Sequence, residues 1–429
     1  MKFYVGIDFG TSGARIALID AAATLWFQTS VPFGAETATH WAASWQTALF
    51  RLLDSLPVDY RRQVEAIAIN GTSSTVLLCN AGGDAIASPL LYNDTQALSA
   101  LEPLQQFFAQ ERYSQARGRS TVLSATSSLV KLCWWKQQPF FHQARYFMHQ
   151  ADWLASLLHG RLGISDYHNS LKLGYDVGQL CYPDWMEDLG VMPLLPRVVA
   201  PGTPIGTVTP SVAARLGLSP DCLVCAGTTD SIAAFLASGA QTPGEAVTSL
   251  GSTVVLKLLS RIPVEHEQYG IYSHRLDDLW LVGGASNTGG AVLQQFFTPA
   301  ELERLSSEIV CDRASSLDYY PLTQPGERFP VNDPHLKPRL EPRPAAAVDF
   351  LHGLLESMAR IEAMGYRMLQ ELGATPLTRV YTAGGGATNA VWTTIRSRHL
   401  TVPVLPSAQT EAAYGTALLA LRRGMRIPE

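Results

Sequence analysis

The opening twenty residues place the tightest limit on how this chain can fold. The apolar run Val5-Gly6-Ile7 ends in Asp8, turns through Phe9-Gly10-Thr11-Ser12-Gly13, and becomes a second apolar run from Ala14 to Asp20. A buried strand thereby delivers a carboxylate to a tight turn whose backbone N–H groups are open to an anion. Gly10 and Gly13 permit positive φ and close backbone approach, and Thr11 and Ser12 add hydroxyl donors. Asp8 repels a phosphate but suits Mg²⁺, a hard cation that prefers oxygen ligands and keeps several waters. The segment therefore fits a phosphate with its magnesium ion. Taken alone, it also fits an ordinary N-terminal β-hairpin with a surface aspartate.

At 429 residues the chain exceeds the usual size of one hydrophobic core, so two domains are expected. Apolar residues make up 47%, enough to fill both. A net charge of −5 gives no support to nucleic-acid or acidic-membrane binding. A single Lys precedes the first strand, unlike a signal or transit peptide, and no apolar stretch is long enough to span a bilayer. The six cysteines are scattered, and only Cys222 and Cys225 have CxxC spacing. With no second pair nearby they read as buried core thiols, and a cytoplasmic location is expected. The ten histidines form no metal-ligand pattern.

Three apolar segments, Phe3 to Asp8, Ala14 to Asp20 and Thr24 to Ser30, read as a β-meander. Helical spacing follows from Trp41 to Leu56. A strand from Val64 to Ile69 then ends in Asn70-Gly71-Thr72-Ser73-Ser74. The middle third is mixed and helical, including Leu129 to Gln137 and Trp153 to Leu157. A second set of strands covers Leu223 to Gly227, Glu245 to Leu250, Val254 to Leu259 and Leu279 to Val282. Its strand–glycine–strand order around Gly251-Ser252-Thr253 echoes the N-terminal hairpin and points to two related halves. Seven prolines between Tyr319 and Pro344 exclude a regular helix there, leaving a long ordered loop or a linker. Amphipathic spacing predicts a helix from Asp349 to Leu372, with Gly373 as its C′ residue. A strand through Val380 meets Gly384-Gly385-Gly386-Ala387-Thr388-Asn389, and a final helix runs from Glu411 to Arg423.

Four glycine-marked strand ends stand out: Asp8–Gly13, Gly227–Asp230, Gly251–Thr253 and Gly384–Asn389. Two carry an aspartate. Asp230 sits where a strand hands over to an Ala-rich helix, a position that suits an N-cap as well as a catalytic base.

Together these motifs resemble the FGGY carbohydrate kinases, within the actin, hexokinase and chaperone ATPase superfamily. Gly6-Ile7-Asp8-Phe9-Gly10-Thr11 with Arg15 resembles the first phosphate motif. Gly227 and Asp230 fall on the catalytic-base motif, and Leu250-Gly251-Ser252 on the second phosphate motif. Gly326-Glu327-Arg328 with Pro330 and Asp333-Pro334 matches a characteristic loop. Gly384-Gly385-Gly386-Ala387 followed by Trp392 resembles the adenosine motif, and Glu411-Ala412-Ala413 with Gly415 the last helix. Lys131-Leu132 with Trp134 and Gln137 is an imperfect copy of a family signature. Two departures concern the sugar. Thr72-Ser73-Ser74 stands where bacterial xylulokinases carry a Gln-Met-His run. Tyr92-Asn93-Asp94-Thr95-Gln96 keeps only the aspartate of the usual Trp-x-Asp-x-Arg motif. The pattern is similar to the short, xylulokinase-like ketopentose kinases of cyanobacteria and plants.

The resemblance implies an α/β chain with two ribonuclease H-like (actin-like ATPase) domains flanking a deep cleft. Residues 1–235 plus 411–429 would bind sugar and phosphate, and residues 236–410 nucleotide. It implies phosphoryl transfer from MgATP to a ketopentose, foremost D-ribulose to D-ribulose 5-phosphate, with Asp230 as base and Asp8 holding Mg²⁺ through water. Thr11 belongs to the catalytic set. Gly10, Thr11, Ser12, Gly251 and Ser252 would hold phosphates. Gly384, Gly385, Gly386, Ala387 and Asn389 would form the adenine side. Ser73, Ser74 and Asp94 would contact sugar hydroxyls, although Ser73 and Ser74 also suit a turn cap, and Arg15 a surface position. D-xylulose, L-ribulose and glycerol remain alternative substrates. A chaperone-type ATPase is the alternative from another class, disfavoured because no peptide-binding appendage follows the last helix.

Overall fold

The computed structural model describes residues 1–34, 40–113 and 119–422. The chain falls into two compact units, residues 1–237 joined by the last helix Ala412–Arg422, and Ser238–Thr410. The end expected at Arg423 for that helix lies outside the described residues. Among the described residues no helix is long and apolar enough to cross a membrane.

The first unit is built on β1 (Phe3–Phe9), β2 (Gly13–Asp20), β3 (Leu25–Pro32) and β4 (Val64–Gly71). Two strand pairs stand apart: β5 (Val76–Cys79) with β6 (Tyr146–His149), and β7 (Ile164–Asp166) with β8 (Arg197–Val199). Then β9 (Pro204–Thr207) and β10 (Leu223–Thr229) complete a six-stranded sheet of order β3-β2-β1-β4-β10-β9. β1, β4 and β10 run parallel at its centre. A central parallel strand is covered on both faces, and every residue of β1 is buried. Val5, Ile7, Phe9, Ile67 and Ile69 pack with Trp45, Leu49 and Leu53 of the helix Trp41–Asp54 and with Leu154 and Leu158 of the helix Gln150–His159.

The last helix covers the other face at very short range. A β-carbon on Gly6 would lie 2.1 Å from the Ala413 carbonyl oxygen and the Ala417 nitrogen. On the far side of that helix, a β-carbon on Gly415 would lie 1.8 Å from the Ala233 carbonyl oxygen. Ala233 belongs to the helix Asp230–Ala237, which starts directly after β10. Two missing side chains therefore set how closely β1, the last helix and the Asp230 helix can stack.

The second unit repeats the plan. Its strands are β11 (Glu245–Leu250), β12 (Val254–Ser260), β13 (Tyr272–Leu276), β14 (Leu279–Ser286), β15 (Arg379–Ala383) and β16 (Val404–Pro406), in the order β13-β14-β12-β11-β15-β16. β11 forms a hairpin with β12 and pairs in parallel with β15, as β1 does with β2 and β4. The echo in the sequence is thus an echo in topology. The helix Ala347–Glu371 covers this sheet, packing Leu351, Leu354, Leu355 and Met358 into the core, and Gly373 follows it with φ +104°. Arg396 and Glu362, both buried, form a two-point ion pair at 2.7 Å. The proline-rich stretch is an ordered loop: Tyr320 bridges to Arg339, and Glu327 to Asp333. Cys222 and Cys225 are buried thiols outside any disulfide.

Two strands are longer than their apolar runs. β4 reaches Gly71 and β10 reaches Thr229, because Asp8 pairs with Asn70, Phe9 with Gly71, and Gly71 with Thr229. Ladder hydrogen bonds carry the sheet past its last hydrophobic residues.

Gly415→Val is expected to lower the stability of the first unit by on the order of 3 kcal/mol, since the clash is with backbone that cannot rotate away. Equilibrium denaturation checks this. An unchanged midpoint would show that the helices can slide apart freely.

Candidate active site

In the first unit, the parallel strands β1 and β4 carry Asp8 and Asn70 as their penultimate residues, and β10 runs through Thr229 into Asp230. Asp8 is only 4% exposed. Its Oδ2 accepts from the Arg15 guanidinium at 3.5 Å, while its Oδ1 is buried without a partner. Arg15 also meets Glu411 at 3.3 Å, so it bridges two carboxylates and is not an idle surface side chain. Burial is the main cause that pushes the Asp8 carboxyl up to about 6. The negative charge of Asp230 adds to the rise, and Arg15 opposes it. The fold thus brings the two aspartates within electrostatic reach of each other. The Asp230 Oδ1 accepts from the Ser231 amide at 2.6 Å.

The turn after Asp8 is closed by the Gly10 amide donating to the Gly13 carbonyl at 3.0 Å. Neither glycine uses positive φ, contrary to expectation. Gly13 is small because a β-carbon would press within 2.7 Å of the Val31 carbonyl oxygen. Over Gly10 there is room, and Thr11 and Ser12 are exposed beside it. The second unit has a matching turn, where the Gly251 amide donates to the Thr253 carbonyl at 3.2 Å and Ser252 is exposed.

Gly251 and Ser252 open onto a cavity of about 800 Å³ in the second unit, lined also by Gly385, Gly386 and Asn389. That volume is in the range of cofactor and nucleotide pockets. Gly384 and Ala387 do not line it. Gly384, at φ +84°, packs against Leu250, and its carbonyl accepts from the Ala387 amide at 3.0 Å, so the pair shapes the turn. A β-carbon on Gly385 would meet nothing within 4 Å, which leaves that backbone open to a flat ligand. Asn389 lines the cavity, but its side chain is engaged elsewhere. Its Oδ1 caps the helix Ala390–Leu400 by accepting from Trp392, and its Nδ2 donates to Ser306 at 2.8 Å. Ser306 and Glu303, from the helix Pro299–Glu308, line the same cavity. Sequence reading missed them. Their only local signal is the Thr298/Glu301 capping box, which marks a helix start and no ligand.

Ser74 and Asp94 meet around a residue that the sequence showed only as part of a signature. Lys131, fully buried on the helix Ser128–Lys136, donates to the carbonyls of Ser74 at 2.7 Å and Leu91 at 2.5 Å. Burial pushes its ammonium down to about 7, and the charge of Asp94 partly restores it. Ser74 has φ +65°, and its hydroxyl is buried without a partner. Asp94 accepts from the Gln96 amide at 2.9 Å. Ser73 is half-buried in the same turn.

The donor set suits magnesium better than a caged transition metal. Among the described residues no group of three or more His, Cys, Asp or Glu could hold a metal ion. A buried, partnerless carboxylate oxygen beside an open turn fits an ion that keeps most of its waters.

The raised Asp8 carboxyl has a consequence for stability. Folding favours its protonated form between about pH 4 and pH 6, so stability falls as pH rises through that window. Asp8→Asn removes the buried charge and is expected to stabilise the protein by on the order of 2 kcal/mol at pH 8. The gain should vanish below pH 4, where Asp8 is neutral in both states. Denaturation at the two pH values checks this, and equal stability of variant and wild type at pH 8 would contradict it.

Known proteins supply the context. The model for the FGGY family of carbohydrate kinases, N-terminal domain, matches residues 3–237, and that for the C-terminal domain residues 246–423. A xylulose kinase of Bacillus subtilis is 23% identical over 98% of this chain and 88% of its own length. An autoinducer-2 kinase of Photorhabdus laumondii is 23% identical over 98% of this chain and 86% of its own. The crystal structure of a xyloylose kinase from Brucella ovis superposes with a TM-score of 0.84 at 24% identity, covering 98% of this chain and 90% of that one. Both family models match, in order, across nearly the whole sequence, and the fold is that of the solved kinases. The chain therefore belongs to the FGGY family of carbohydrate kinases and is an ATP-dependent sugar kinase.

Proposed function

We propose that this kinase transfers the γ-phosphoryl group of ATP to a primary hydroxyl of a ketopentose, foremost O5 of D-ribulose. The observation that carries the reading is the pair of aspartates at the strand ends, one buried beside an open glycine turn and one at the start of a helix. Asp230 accepts the hydroxyl proton. The freed oxygen bonds to the γ-phosphorus as the bond to the departing ADP oxygen breaks. Mg²⁺, when bound, neutralises charge on the phosphates, and Asp8 would hold it through water. Thr11 and Ser12 in the first unit, and Gly251 and Ser252 in the second, are suited to phosphate oxygens. The cavity at Gly385 and Gly386 suits the nucleoside. Catalysis of this kind rests mainly on positioning and electrostatics.

Ser73, Ser74 and Asp94 are the proposed contacts for sugar hydroxyls. Thr72-Ser73-Ser74 in place of a Gln-Met-His run supports a ketopentose other than D-xylulose. D-xylulose is the second reading, favoured by the xylulose kinases among the relatives. An ADP-release assay across D-ribulose, D-xylulose, L-ribulose and glycerol separates them. The largest kcat/KM should fall on D-ribulose, and a clear preference for another member overturns that choice.

Asp230→Ala should lower sugar phosphorylation by about 10²–10⁴-fold while ATP affinity, measured by calorimetry, stays close to wild type. Near wild-type turnover would remove Asp230 from the base role. Lys131→Met removes the lysine's donation to the Ser74 carbonyl and to the Leu91 carbonyl, which keeps only the Asp94 amide, a loss of about 1–3 kcal/mol. It should raise the KM for the sugar roughly tenfold at unchanged KM for ATP. Equal effects on both substrates would show that Lys131 supports the fold and not the sugar site.

A further inference from the structure

We propose that Asn70 is a further positioning residue of the magnesium site, its Oδ1 accepting a hydrogen bond from a water in the ion's shell beside Asp8. The proposal rests on the kinase reading above. Asp8 and Asn70 are register partners on the parallel strands β1 and β4. Paired residues on neighbouring strands carry their side chains to the same face of a sheet, with the strands about 4.8 Å apart. Asn70 is fully buried.

The direction of its amide is fixed by a residue far along the chain. The Thr416 hydroxyl donates its proton to the Ala412 carbonyl at 2.8 Å. That hydroxyl can then only accept, so it receives the Asn70 Nδ2 at 2.5 Å. The amide oxygen is left pointing away from Thr416, buried and without a partner, like the Oδ1 of Asp8. A buried acceptor lacking a donor is costly, and two on paired residues of one sheet face call for a ligand that donates.

A phosphate has no proton to give, and a carboxylate or amide oxygen repels it. Water bound to a divalent cation is a strong donor, and an all-oxygen surround suits a hard ion. Asparagine adds an acceptor with no charge. A carboxylate at this position would place a third negative group with Asp8 and Asp230.

The test uses the whole protein with Mn²⁺ in place of Mg²⁺. Mn²⁺ affinity is measured by electron paramagnetic resonance in the presence of the non-hydrolysable β,γ-imido analogue of ATP, for wild type and Asn70→Leu. Leu keeps the volume and removes the acceptor. Mn²⁺ affinity should fall at least tenfold, as for other residues that hold a metal's outer shell, with nucleotide affinity in EDTA and sugar affinity unchanged. Asn70→Thr, which keeps a shorter acceptor, should recover part of the loss, and it serves as the test variant if the Leu protein does not fold. Unchanged Mn²⁺ affinity overturns the proposal. So does a loss of sugar affinity at constant Mn²⁺ affinity, which would put Asn70 against a sugar hydroxyl. Wild type that shows no nucleotide-dependent Mn²⁺ binding would overturn the magnesium-nucleotide reading itself.

Discussion

A carboxylate held out of water at the end of a central strand is the constraint around which the first unit is arranged. Burial of Asp8 disfavours its charge, and the charge of Asp230 disfavours it further. Such a group persists only where the surroundings compensate. Arg15 is one compensation, itself steadied by Glu411. The cation proposed for this site would be the other. The residue is therefore more useful than stable, which is what a site prepared for a ligand shows.

The close stacking of helices serves the same end. Gly6 and Gly415 remove the side chains that would separate β1 from the last helix and the last helix from the Asp230 helix. The last helix, far from Asp8 in sequence, thereby supports both aspartates, and its Thr416 turns the Asn70 amide. The second unit uses the repeated plan for another purpose. Its hairpin turn at Gly251 opens onto a cavity instead of a carboxylate, and a glycine run with the helix Pro299–Glu308 shapes the wall.

Much of this was legible in the sequence. The meander, the echo at Gly251 and the long helix ending before Gly373 follow from local periodicity and glycine placement, and the structure shows each. Positive φ is not what Gly10 and Gly13 supply: crowding against β3 explains Gly13, and a β-carbon on Gly10 would make only an ordinary contact with the Gly13 carbonyl at 3.5 Å. Strand ends read from hydrophobicity stopped short at Ile69 and Gly227, because the ladder continues through polar residues that a pattern of apolar positions cannot register. Gly384 and Ala387 were expected on the adenine side as members of a motif, yet they bond to each other across the turn and do not line the cavity.

The sequence by itself determined which elements form, where glycines interrupt them, and that Asp8 and Asp230 stand at strand ends. Those properties depend on near neighbours along the chain: side-chain alternation, turn chemistry and helical spacing. The tertiary structure alone decided that Lys131 joins the Ser74 and Leu91 backbones, that Asn389 reaches Ser306, and that Thr416 turns the Asn70 amide so that its oxygen is left without a partner. The partners in question lie tens to hundreds of positions apart. Burial and the demand that every polar group find a partner act through space, so only the folded chain could settle which atoms were left over for a ligand.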